Sequence, residues 1–141
     1  MERKLELKDI AGYLPYKPCF INNLSSNKNY YYGYSNVIEL INYFTISLRP
    51  LSDLYRTITH DGKEIVPIVE LAKIEGCGED EIKYNKDTFG FYCCDEEGNW
   101  LTVYNQYQLF DYLHYLKIDY RGLIESGLAI SVYDLEDNPY K

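Results

Sequence analysis

The sequence predicts an α+β fold: one small domain with two antiparallel hairpins and four to five short helices. Three observations carry that expectation. Apolar residues recur at helical spacing in several separate short stretches. Two pairs of aromatic, β-branched-rich runs flank polar loops, as the arms of a hairpin do. The helical and strand-like stretches are interspersed without regular βαβ alternation, which argues against a doubly wound nucleotide fold. The chain has 141 residues, 46% of them hydrophobic and 26% charged, which suits one buried core and leaves little room for a second.

The elements follow in order. Leu7, Ile10, Ala11 and Leu14 have the i, i+3, i+4, i+7 spacing of an amphipathic helix, and Pro15 and Pro18 force an extended exit. Cys19-Phe20-Ile21 reads as a strand whose hairpin partner is Tyr30-Tyr31-Tyr32-Gly33-Tyr34, across an Asn- and Ser-rich loop. Val37, Leu40, Ile41 and Phe44 again have helical spacing, with Ser35 or Asn36 as the cap. A helix from about residue 50 to 58 opens at Pro50, a turn covers His60-Asp61-Gly62-Lys63, and Glu64-Ile65-Val66 is a brief strand. Pro67 opens the next helix, which carries Val69, Leu71, Ala72 and Ile74 and stops at Gly76 and Gly78. The polar stretch near 76–86 is expected to be a flexible loop. The second hairpin joins residues 88–94 to 100–104 across Asp95-Glu96-Glu97-Gly98-Asn99. Leu109, Tyr112, Leu113 and Leu116 then form one helical stripe. Leu123 and Ile124 suggest a further short helix ending at Gly127, and 128–132 a short terminal strand.

Charge and composition exclude several functions. Fourteen Lys and Arg against 22 Asp and Glu give a net charge of −8, opposite to what direct nucleic-acid binding needs. No apolar run approaches the roughly 20 residues of a membrane span, and Met1-Glu2-Arg3-Lys4 does not begin a secretory signal. Cys19, Cys77, Cys93 and Cys94 include no C-x-x-C, so zinc and redox signatures are missing. Reduced thiols in a cytoplasmic protein, with no metal and no cofactor, are the expectation. His60 and His114 are the two histidines. The turn around His60 predicts an exposed ring, and His114 should border the core or a groove. No nucleophile elbow, P-loop, dinucleotide fingerprint or calcium loop occurs. No catalytic residue is assigned.

Tyrosine is the surplus: 17 in 141 residues, with 5 Phe and one Trp. Neighbouring strand residues point to opposite faces, so Tyr30, Tyr31, Tyr32 and Tyr34 cannot all enter one core. Tyr104, Tyr107, Tyr112, Tyr115 and Tyr120 raise the same accounting near the last long helix. Exposed tyrosine beside acidic loops makes a surface suited to a protein partner, or to a second copy of the chain. Arg49, flanked by Leu48 and Pro50, either forks onto Asp53 or marks an anion pocket, the fork being the expected role. The candidate binding residues are therefore Tyr30, Tyr31, Tyr32, Tyr34, Arg49, Tyr107 and Tyr115.

Three blocks extend this reading. Leu5-Glu6-Leu7-Lys8 with Leu14-Pro15-Tyr16, the central Leu48-Arg49-Pro50-Leu51-Ser52-Asp53-Leu54, and Gly122-Leu123-Ile124-Glu125-Ser126-Gly127-Leu128-Ala129-Ile130 resemble short uncharacterised proteins of phages, prophages and mobile elements of gut bacteria. The resemblance implies a context and no catalytic residues: a small accessory protein, inhibitors of host defence included. The expectation is a non-enzymatic protein binder acting through an acidic, tyrosine-rich surface. The alternatives are a small enzyme or ligand binder with a non-contiguous site, and a phage structural or assembly component.

Overall fold

Apolar stripes at period 3.6 and period 2 are sorted here into short helices and three separate sheets. The computed structural model describes residues 4–22, 30–32 and 41–141. The mixed α+β class holds, but three sheets stand where two hairpins were expected. The first sheet comprises β1 (Cys19–Asn22), β2 (Tyr30–Tyr32), β3 (Phe44–Leu48) and β9 (Ala129–Ser131), in the order β2-β1-β3-β9. The β1–β2 pairing is antiparallel, with Phe20 opposite Tyr31. The partnership between β3 and β9 is parallel, with Ile46 opposite Ala129.

Two smaller sheets complete the set. Strands β4 (Ile58–His60) and β5 (Lys63–Ile65) make a two-stranded ribbon. Its turn places Asp61 and Gly62 at positive φ. Strands β6 (Ile82–Asn85), β7 (Gly90–Cys94) and β8 (Trp100–Thr102) form an antiparallel meander. The hairpin expected between 88–94 and 100–104 is its second half. Its first half occupies the stretch expected to be a polar connector: Ile82 and Tyr84 alternate inward and are buried.

Three α-helices are named among the described residues. Helix α1 (Leu7–Ile10) is a single turn. Helix α2 (Pro67–Glu75) begins at the expected proline and ends at Gly76 with φ 85°, where the absence of a side chain permits the left-handed cap. Helix α3 (Gln106–Leu116) buries Leu109, Leu113 and Leu116 and ends on Lys117 at φ 58°. The helix expected over 50–58 is a 3₁₀ turn, Leu51–Tyr55, followed by β4. Leu123 and Ile124 lie in turns closed by Leu128 N–H donating to Leu123 O at 2.8 Å. Of the helix expected from Val37 to Phe44, the start lies outside the described residues, residues 41–43 are helical, and Phe44 begins β3.

One apolar cluster joins Phe20, Ile46, Leu48, Leu71, Phe91, Leu113 and Ile118, so the first sheet, the meander and helices α2 and α3 share a core. Within it sits an Arg. Arg49 is 1% exposed, and its NH2 donates to Thr59 O at 2.8 Å and Tyr140 O at 3.2 Å. The fork expected between Arg49 and Asp53 is not made: NH1 stands 3.8 Å from the carboxylate. Asp53 is held instead by Arg56 Nε at 2.6 Å and by the Tyr133 hydroxyl at 2.7 Å. His60 is also corrected. It is buried, because Tyr115 covers it edge-on with ring centroids 4.9 Å apart.

Candidate functional site

Helix α3 divides its residues by period. Leu109, Leu113 and Leu116 face the core, and Gln108, Asp111, Tyr112 and Tyr115, at i, i+3, i+4 and i+7, form the stripe beside it. Tyr112, expected on the leucine stripe, packs against the core from its edge. The 3₁₀ turn Leu14–Tyr16 brings Tyr16 onto this stripe. Its hydroxyl donates to the Asp111 carboxylate, 2.7 Å from both oxygens. Tyr16 and Tyr115 rings lie 5.7 Å apart, and Tyr112 meets Tyr115 edge-on at 5.8 Å. With Ile74 from the end of α2 and Gln108, these side chains line a groove of about 380 Å³. Tyr107 on the same helix is 81% exposed, and Tyr104 just before it is fully exposed.

The electrostatics of the groove are one-sided. The hydrogen bond to Asp111 pushes Tyr16 up to about 12. Burial, reinforced by Glu70, pushes Tyr112 up to about 12 as well. Tyr115 is raised by burial and by Asp61, whose carboxylate accepts its hydroxyl at 3.3 Å. The groove therefore offers neutral phenol rings around carboxylates. Lys117 lies behind, with its ammonium 5.7 Å from the Tyr115 ring and 5.0 Å from that of Tyr140. Burial drops Lys117 to about 8. Such a groove suits a Lys or Arg side chain, which gains from aromatic faces and a carboxylate together.

The sequence-derived candidates separate in space. Tyr107 and Tyr115 belong to this face. Arg49 is buried behind this face, with His60 between it and Tyr115. Strand β2 contains Tyr30 to Tyr32, but the facing of their rings, and Tyr34 altogether, lie outside the described residues. Tyr16, Ile74, Asp111 and Tyr112 are not among the sequence-derived binding candidates. The stripe spacing of α3 carried the signal for Asp111 and Tyr112, whereas Tyr16 and Ile74 arrive from distant segments.

Nothing on this face supplies a metal site: among the described residues no group of three or more His, Cys, Asp or Glu side chains converges. No helix of the described residues is long and apolar enough to cross a membrane. Compared with known proteins, the chain matches no family model, no curated protein and no solved structure.

Proposed function

We propose that this protein is a non-enzymatic binding protein that captures a basic segment of a protein partner on the tyrosine face of α3. One observation carries the reading: Tyr16, Tyr112 and Tyr115 surround Asp111 while Tyr104 and Tyr107 stand open beside them. Tyrosine contributes large contact area at low conformational cost, and a net charge of −8 favours encounter with a basic surface. The likeness of three sequence blocks to phage and mobile-element proteins is the reason to seek the partner among bacterial host proteins, defence components included.

The test is affinity capture on the tagged full chain from a bacterial lysate, at low salt and at about 500 mM salt. The wild type is compared with the surface double variant Tyr104→Ala/Tyr107→Ala. Specific retention at low salt, released by salt and lost in the variant, is the expected result. Identical retention by the two proteins would remove α3 from the interface. A dimer of the purified chain that the variant dissociates would assign the face to self-association instead.

A further inference from the structure

A second cleft lies away from the tyrosine face. A cavity of about 590 Å³ is lined by Phe89, Phe110, Tyr120, Arg121 and Ser126. It adjoins one of about 290 Å³ that shares Phe89, Tyr120 and Arg121 and adds Lys86. We infer that this cleft binds a small aromatic monoanion, with its planar ring among Phe89, Phe110 and Tyr120 and its charge at Arg121 and Lys86.

The aromatic chamber is built before any ligand arrives. Phe110 packs on Phe91 with centroids 5.2 Å apart and on Tyr120 at 5.0 Å. Tyr120 is anchored by its hydroxyl, 2.6 Å from His114 Nε2. The outer wall is Phe89, which is 54% exposed and holds φ at 53°. A bulky residue at that φ is a strained choice where glycine would be relaxed. A ring presented to water from a strained backbone is better suited to contact than to folding.

The cationic end is equally prepared. Arg121 lies over the Tyr120 ring, 5.4 Å from its centroid. Neither Arg121 nor Lys86 forms an ion pair among the described residues, although acids outnumber bases in this chain. Asp119 does not neutralise Arg121. Its carboxylate accepts the backbone N–H groups of Arg121, Leu123 and Ile124 at 3.2, 3.0 and 2.8 Å, which fixes the turn that carries the guanidinium. Asp87 and Glu125 line the same mouth and are exposed. With Asp119 engaged by backbone N–H groups, Asp87 and Glu125 balance the two cations at the mouth, so a group of higher negative charge is disfavoured more than a single charge placed directly on Arg121. A carboxylate and a phosphodiester both carry a single charge.

Isothermal titration of the full chain tests the assignment with N-acetyl-L-tryptophan, indole-3-propionate and 3′,5′-cyclic AMP. Acetate and inorganic phosphate serve as ringless controls, and indole and adenosine as uncharged ones. At least one aromatic monoanion is expected to bind with Kd below about 1 mM, and the controls at least about tenfold more weakly. Whether a carboxylate or the phosphodiester binds identifies the source of the charge. Arg121→Ala and Phe89→Gly should each weaken binding by about tenfold or more. Phe89→Gly should leave the Tm unchanged or raised, because glycine relaxes the positive φ. No binding by any of the three compounds, equal binding by the controls, or unchanged affinity in both variants would overturn the inference.

Discussion

His60 is expected to make this protein lose stability as the pH falls from neutral towards 4. The ring is 3% exposed, and its Nδ1 lies 3.3 Å from Arg49 NH2. A guanidinium can only donate, so Nδ1 is the acceptor and the folded ring is neutral with its proton on Nε2. A second proton would have to enter at Nδ1, against Arg49 and within the field of Lys117. Asp61 Oδ2, 3.6 Å from Nε2, pulls the other way and does not compensate. Burial first, then these cations, lowers His60 to about 4 from its ordinary 6.5.

The unfolded chain takes up the proton as the pH passes 6.5, whereas the folded one resists until about 4. The contribution of His60 is therefore fully present above 6.5 and erodes between those limits. The loss is roughly 2.5 kcal/mol by pH 4.5 and roughly 3 kcal/mol at its limit. Urea unfolding at pH 7.5, 6.5, 5.5 and 4.5 measures this, with His60→Asn as the comparison. An Asn amide oxygen takes the place of Nδ1 and does not titrate. The wild type should lose stability more steeply than His60→Asn, by roughly 2.5 kcal/mol across the series. Parallel pH profiles, or an imidazole titrating near 6.5 by NMR, would refute the reasoning.

Other perturbations probe the remaining packing. A Cβ on Gly12 would sit 2.4 Å from the His114 ring, so Gly12→Ala should cost roughly 1–3 kcal/mol in denaturant melts. The same substitution should be close to neutral in a His114→Ala background, where the obstructing ring is gone. Asp53→Ala should cost about 3–5 kcal/mol by chemical unfolding, because it leaves the buried Arg49 without its nearest carboxylate and Tyr133 without its acceptor. Burial and the neighbouring Cys93 push Cys77 up to about 12. Iodoacetamide at pH 8 should therefore spare Cys77 in the folded protein and modify it in urea, as read by peptide mass mapping.

Local signals were the legible ones. Pro67 and Gly76 bracket α2 because both act through their own backbone. The leucine stripe of α3 and the aromatic arms around Asp95–Asn99 were equally self-contained. Strand β3 was hidden because Phe44 completes a helical spacing with Val37, Leu40 and Ile41, although Phe44, Ile46 and Leu48 also alternate as a strand does. Three acids before Ile82 masked the inward alternation of β6. The burial of His60 had no local mark at all, since it follows from Tyr115, which arrives from another element. Arg49 does face Asp53, at 3.8 Å, but without the expected fork, because Arg56 and Tyr133 take the carboxylate's close positions. The candidate face was half visible for the same reason: α3 could be read alone, while Tyr16 and Ile74 are brought to it only by tertiary packing.

The side-by-side alignment of β3 with β9 has a bearing on how the molecule is born. Ile46 must wait for Ala129, so during synthesis β3 shows one bare flank until nearly all of the described chain has left the ribosome. Pairings of such long sequence separation close slowly, and an unfinished sheet margin invites strands from other molecules. Nascent chains stalled before residue 129 should therefore be the species most in need of a chaperone.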